Sequence, residues 1–252
     1  MKIETPSGKL LFEHKSNFVL EKKGEIYRFH SFEFNEQLKV YLAAFESFRK
    51  DQTKDQLTPA EFDGLPFNQN NRMWEERIKD LSFILKHIKS NSEILEVGAW
   101  NSWLTQHLSE KNSVTAIDFF TNELDGLGAI KHYSEGNWTP IQTSPQHIDL
   151  MQSEFDFIVF NRGIQYYSDV PKLIEICKSK IKKGGSIIIT GLNIKSKTKN
   201  SIDYYNETAE AFEIKYGTSF YLTEPFRKVL SYPDLKFFQT EGFQLYPQTA
   251  KI

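Results

Sequence analysis

Ile94-Leu95-Glu96-Val97-Gly98-Ala99-Trp100-Asn101-Ser102-Trp103 reads as a short apolar strand that runs into a glycine turn and then opens a helix, continuing to Leu108. The same texture repeats downstream. Val114 to Asp118 is a second apolar strand, Phe155 to Phe160 a third, and Ser186 to Thr190 a fourth behind the turn Lys183-Gly184-Gly185. Between the last two, Val170 to Ile181 has helical periodicity. Strands that are apolar throughout, alternating with helices, imply an α/β fold. The sheet is then mostly parallel, with helices on both faces.

Upstream the pattern differs. Lys9 to His14, Asn17 to Lys22 and Glu25 to Phe29 are short β-forming segments divided by Lys15-Ser16 and Lys23-Gly24, which predicts a small antiparallel β unit over residues 1–34. Asn35 to Arg49 carries Leu38, Tyr41, Leu42, Phe45 and Phe48 at helical spacing. A polar linker, Lys50 to Asp63, follows, and then a second helix from Asn71 to Lys89. Residues 35–91 thus form a helical linker or lid, and residues 92–252 the main α/β domain. That domain carries a polar insertion at about 191–235, and Glu241 to Leu245 is expected as a last edge strand.

Composition narrows the function. A formal net charge of -2 gives no basic excess, so a nucleic-acid partner is not expected. The single cysteine, Cys177, rules out an internal disulfide and any cysteine zinc site, and no metal is expected. The N-terminus lacks the apolar core of a signal peptide, and no apolar run spans a bilayer. The expected location is the cytoplasm, without a membrane partner. Oligomeric state is not legible.

In an open α/β sheet, ligands bind beyond the carboxyl ends of the strands, near the point where strand order reverses. Gly98 lets the backbone approach a ligand there and tolerates positive φ. Asp118 closes the second strand about twenty residues further on, where an acid can accept both hydroxyls of a ribose. Without a G-x-G-x-x-G turn, a nicotinamide-dependent oxidoreductase is disfavoured.

These four elements, in order and spacing, resemble class I S-adenosylmethionine-dependent methyltransferases over about Ser92 to Thr190. Ile94 to Gly98 resembles their first motif. Val114-Thr115-Ala116-Ile117-Asp118 resembles their second strand with its ribose-binding acid. Glu154 to Asn161 resembles the fourth strand, and Ile181 to Ile189 the turn and fifth strand. Asp125-Gly126-Leu127-Gly128-Ala129 with His132-Tyr133, Trp74 and Arg77 upstream, and Tyr216-Gly217 and Tyr221-Leu222-Thr223 downstream resemble a group of bacterial methyltransferase-like proteins.

The resemblance implies a Rossmann-like sheet, S-adenosylmethionine as cofactor, and methyl transfer to a small-molecule acceptor. It places Glu96, Gly98, Ala99, Trp100, Asp118, Phe119, Ser144, Asn161 and Arg77 around the donor. Glu96 contacts the donor amino group or holds the turn. Phe119 packs on adenine or in the core. Asn161 meets the reactants or shapes a turn. Arg77, like Arg162, binds an acidic substrate group, the donor carboxylate or a neighbouring acid. His132 is the candidate general base, against ordinary hydrogen bonding, with Tyr166 in an acceptor pocket beside Tyr133 and Tyr167. Two departures stand out: Trp100 and Ser102 occupy positions where the pattern carries glycine. They motivate an alternative, a non-catalytic binding or scaffold protein with a degenerate donor motif.

Overall fold

The computed structural model describes residues 1–52, 57–222 and 229–246. Residues 53–56 of the linker, Thr223 and residues 224–228 of the insertion lie outside the described residues. Nine strands and six helices follow one another: β1 (Lys2–Glu4), β2 (Leu10–Glu13), β3 (Phe18–Lys23), β4 (Ile26–Ser31), α1 (Phe32–Gln52), α2 (Arg72–His87), β5 (Glu93–Val97), α3 (Trp103–Ser109), β6 (Ser113–Asp118), β7 (Trp138–Thr143), β8 (Phe155–Asn161), α4 (Val170–Lys178), β9 (Ile181–Thr190), α5 (Lys199–Tyr216) and α6 (Tyr232–Thr240), counted among the described residues.

β1 and β2 pair by themselves. The other seven strands form one sheet in the order β3-β4-β7-β6-β5-β8-β9. Every pairing in it is parallel except the β3–β4 hairpin. The chain runs outward from β5 through β6 to β7, then returns to the other side of β5 for β8. The reversal therefore lies between β5 and β8, where an α/β sheet opens a crevice at its carboxyl edge.

Side chains alternate between two cores, one on each face. Leu95, Val97, Ile158 and Phe160 enter one with Leu173 and Ile174 of α4. Ile94, Phe157 and Val159 enter the other with Trp74, Leu81 and Ile84 of α2 and Leu104 of α3. A period of two with both faces apolar is what a covered parallel strand requires.

The N-terminal hairpin does not merely pack on its neighbours. β4 hydrogen-bonds to β7 in parallel, Tyr27 opposite Ile141 and Phe29 opposite Thr143, so β3 and β4 continue the main sheet. Ile3, Leu11 and Phe12 of the β1–β2 pair join the larger core. β7 is a strand that the sequence pattern concealed, because Pro140 sits inside it. Proline cannot donate to a ladder and is normally kept from central strands. β4 pairs only with Ile141, Gln142 and Thr143, so the proline lies beyond its reach.

Other boundaries shift. α4 ends at Lys178 because β9 already begins at Ile181. The expected Lys183-Gly184-Gly185 turn is a bulge inside that strand: Phe155 pairs with Ile181 and Phe157 with Ser186. Gly185 sits where a Cβ would come within 2.6 Å of the Asp156 carbonyl oxygen. The polar insertion holds α5, a helix with only Phe212 buried, too little apolar signal to register as a periodic stripe. No strand forms over Glu241 to Leu245. Ser231, Pro233 and Asp234 start α6 with a capping box, and Phe243 then packs against Phe238 at 5.4 Å. β9 is thus the edge strand on that side of the sheet among the described residues, as β3 is on the other.

Candidate functional site

A cleft of about 2610 Å³ opens at the carboxyl ends of β5, β6 and β8 and is roofed by α1, α2 and α5. Its floor begins at the loop after β5. The amides of Gly98 and Ala99 both donate to the Ile117 carbonyl, at 2.9 and 3.1 Å, which ties the loop to β6. Gly98 has φ +77, and a Cβ there would stand 3.2 Å from the Tyr167 hydroxyl. Trp100 and Ser102 also lie in the left-handed region, at φ +49 and +62. Side chains stand where glycine is favoured, and each such residue costs on the order of 1–2 kcal/mol. Strain of this kind persists only when the surroundings over-determine the backbone, and it gathers at functional sites.

Asp118 ends β6 against this loop. One carboxylate oxygen accepts the Trp100 amide at 2.8 Å and the other the Phe120 amide at 2.9 Å. Burial raises its pKa to about 6, opposed by those amides. The Phe119 amide also holds the carboxylate, and since an ionised carboxylate offers about four acceptor sites, some capacity is left for a ligand. Glu96, at the end of β5, accepts the Thr105 hydroxyl at 2.6 Å. Burial pushes its pKa up to about 8, and the charge of Asp118 adds to this. At neutral pH Glu96 therefore carries a proton for much of the time, and can donate as well as accept.

Trp100 does not fill the cleft; it forms part of its wall. Its indole stacks on Trp74 of α2 with ring centroids 5.9 Å apart, and its ring N–H donates to Asp125, which also accepts from Arg49 of α1. The Arg77 guanidinium lies 4.9 Å from the Trp74 ring and 5.1 Å from the Trp100 ring. Burial first, then the nearby Arg162, lowers its pKa to about 10, so it stays cationic at neutral pH. Its Nε is buried and has no hydrogen-bond partner. Arg162, by contrast, donates to Asp80 at 2.6 Å and to Glu76 at 2.9 Å, and the amide of Asn161 reaches Asp80 and the Thr190 hydroxyl. At the β7 end, Ser144 caps the short helical turn Pro145–Leu150, and Phe119 packs against Phe34 of α1 at 5.8 Å.

Of the residues singled out from sequence, Glu96, Gly98, Ala99, Trp100, Asp118, Phe119, Ser144, Asn161, Arg77 and Tyr166 all line this one cleft. His132 and Tyr133 do not. His132 packs at a tilt against Phe62, ring centroids 4.9 Å apart, and donates to the Glu123 carbonyl, while the buried Tyr133 hydroxyl donates to the Asn101 carbonyl. The sequence reading took residues 35–91 and the insertion as a lid over the acceptor, but named none of the aromatics of α1 and α5 as site residues. Phe34, Tyr41 and Phe45 of α1 and Tyr204 and Tyr205 of α5 also face the cleft. The aromatic stripe of α1 was visible as a helix face, but nothing local tied it to a ligand site.

A family model described as "Methyltransferase domain" matches residues 68–242. No curated protein matches the sequence. Among solved structures, a candidate methyltransferase from Bacillus halodurans C-125 is 15% identical, with 67% of this chain and 71% of that chain covered, at a TM-score of 0.48. TehB from Haemophilus influenzae is 19% identical, with 64% and 49% covered and a TM-score of 0.44. An arsenic(III) S-adenosylmethionine methyltransferase from Chlamydomonas reinhardtii is 18% identical, with 61% and 53% covered and a TM-score of 0.44. This chain spans about half the length of the last two. These structures are likenesses only. The family match covers well over half of the chain, including β5 to β9 and the helices α2 and α5 of the roof. The resemblance read from the strand ends is thereby borne out, and the chain belongs to the methyltransferase domain family.

Proposed function

We propose that this protein transfers a methyl group from S-adenosylmethionine to a small-molecule acceptor bound in the same cleft. One observation carries the reading: the loop after β5 and the acid at the end of β6 are locked together on the cleft wall by the Trp100 amide and Asp118. A second supports it. Trp100 and Ser102 replace glycines of the family pattern yet keep left-handed backbone, so the loop holds its shape at a cost in strain. That counts against the reading as a degenerate scaffold.

The residues present fit this donor. Asp118 would accept ribose hydroxyls, Phe119 and Ser144 would border the base, and Gly98 would leave room for close approach of the rest of the donor. Arg77 is the cation available for a carboxylate. When bound, the donor supplies an already activated methyl group on a sulfonium. The protein must align the two reactants and keep water out. The roof of α1, α2 and α5 performs the second task, and Tyr166 and Asn161 border the acceptor side.

Calorimetric titration with S-adenosylhomocysteine tests this. The wild type binds saturably, and Asp118→Asn weakens binding about tenfold or more, the scale of hydrogen bonds to a charged acceptor. Equal affinity in the two proteins, or none in either, overturns the donor site.

A further inference from the structure

The cleft exceeds the roughly 300–1,000 Å³ of a single-ligand pocket, so donor and acceptor fit side by side. Its lining is rich in rings: Phe45, Tyr204, Tyr205, Phe220 and Tyr221 on the roof side, and Tyr166 after β8. Tyr204 leaves 60% of its surface open and Tyr166 leaves 41%.

Charge points the same way. Among the described residues, eight acids and five bases line the cleft. Two of those bases are engaged, Arg49 with Asp125 and Arg162 with Asp80 and Glu76. Arg77 is the cation assigned above to the donor carboxylate. Lys172 pairs with Glu175, and the lining as a whole carries more acid than base, which suits a cation over ring faces better than an anion.

The proton acceptors among the acidic and basic side chains of the lining are carboxylates. The chain has six histidines and one cysteine. None lines the cleft. His30 and His147 are buried behind it with lowered pKa values, and Cys177 is buried with its thiol pushed up to about 12. Glu96 accepts from Thr105, Asp118 is assigned above to the donor, and the other acids of the lining, Glu33, Glu46, Asp149 and Asp169 among them, are carboxylates too. An alcohol that had to lose its proton before attack would find only carboxylates to take it.

From these observations we infer that the methyl acceptor is an amine on a largely apolar, ring-bearing molecule. The inference rests on the methyl-transfer reading. An amine that enters as its free base presents its lone pair without a further proton transfer at this site. The nitrogen–carbon bond forms as the carbon–sulfur bond breaks, the bonding pair stays with sulfur, and the positive charge moves from sulfur to nitrogen. A tertiary amine yields a quaternary ammonium. A secondary amine yields an ammonium that loses its proton to water. In each case the product cation is born against aromatic faces.

The test is a binding measurement. With S-adenosylhomocysteine saturating, benzyltrimethylammonium, its neutral carbon isostere neopentylbenzene, and benzoate are titrated in turn. The cation is expected to bind about tenfold more tightly than the isostere, the scale of a desolvated cation–π contact. Tyr204→Leu should reduce that preference severalfold and Tyr204→Phe should keep it; Tyr204 is exposed, so neither change threatens the fold. Failure of S-adenosylhomocysteine to bind overturns the methyl-transfer reading itself. Donor-site binding with no preference for the cation, or with benzoate favoured, overturns the amine assignment alone.

Discussion

Glu96 is the penultimate residue of a strand whose five residues are all buried, with 2% of its surface exposed. Its carboxyl ionises near pH 4.5 in the unfolded chain and at about 8 in the folded one, because burial penalises the charge. Between those values the folded state holds more protons than the unfolded state, so stability falls as pH rises. Asp118 has the same sign, but only up to about pH 6. His30 and His147, whose pKa values are lowered by burial, act in the opposite direction below 6.5. The window from pH 6.5 to 8 therefore isolates Glu96. Urea unfolding across it should show wild-type stability falling by up to about 1.4 kcal/mol per pH unit, the slope for one proton. Glu96→Gln keeps the acceptor for Thr105 and should flatten that slope; an unchanged slope would assign it to another group.

At the scale of elements, the roof stands on one aromatic cluster. Phe212 of α5 is fully buried against Phe48 at 5.4 Å, Tyr216 at 4.8 Å and Phe220 at 5.4 Å. Asp51 at the end of α1 adds exposed bonds to Lys215 and Tyr216, which contribute little by themselves. Phe212→Ala should cost about 3 kcal/mol, the scale of a large buried ring removed. Hydrogen exchange should place that loss in α5, with β5 and β6 still protected. Uniform loss across the sheet would mean that roof and sheet unfold as one. This element also shows where sequence reading stopped. β5, β6 and β8 were legible because a buried parallel strand is apolar residue after residue. α5 has one buried residue, and β7 contains a proline, so each lacks the local signal while tertiary contacts still place it. Gly98 and Asp118 were legible for the same reason as their strands. His132 was chosen by residue type alone, and its side chain is spent on a carbonyl outside the cleft.

For the whole molecule, the pairing of β4 with β7 decides how residues 1–34 behave. β1 and β2 feed the main core, and β3 and β4 extend the main sheet. Thermal unfolding should therefore be one transition, with amide exchange in β4 collapsing together with that in β6. Early, separate loss of β4 would mark the first 34 residues as an independent unit. No described helix is long and apolar enough to cross a membrane.

The same pairing bears on how the chain reaches its native state. The Thr143 hydroxyl donates to the Phe29 carbonyl at 2.7 Å, across 114 residues of sequence. A hairpin that leaves the ribosome early must keep one edge open until its parallel neighbour has been synthesised. Contacts this distant in sequence slow folding, because the closure entropy falls due before any contact rewards it. During that interval the β4 edge is the surface most open to wrong partners, so recovery of soluble protein should depend on how quickly the chain behind it is translated.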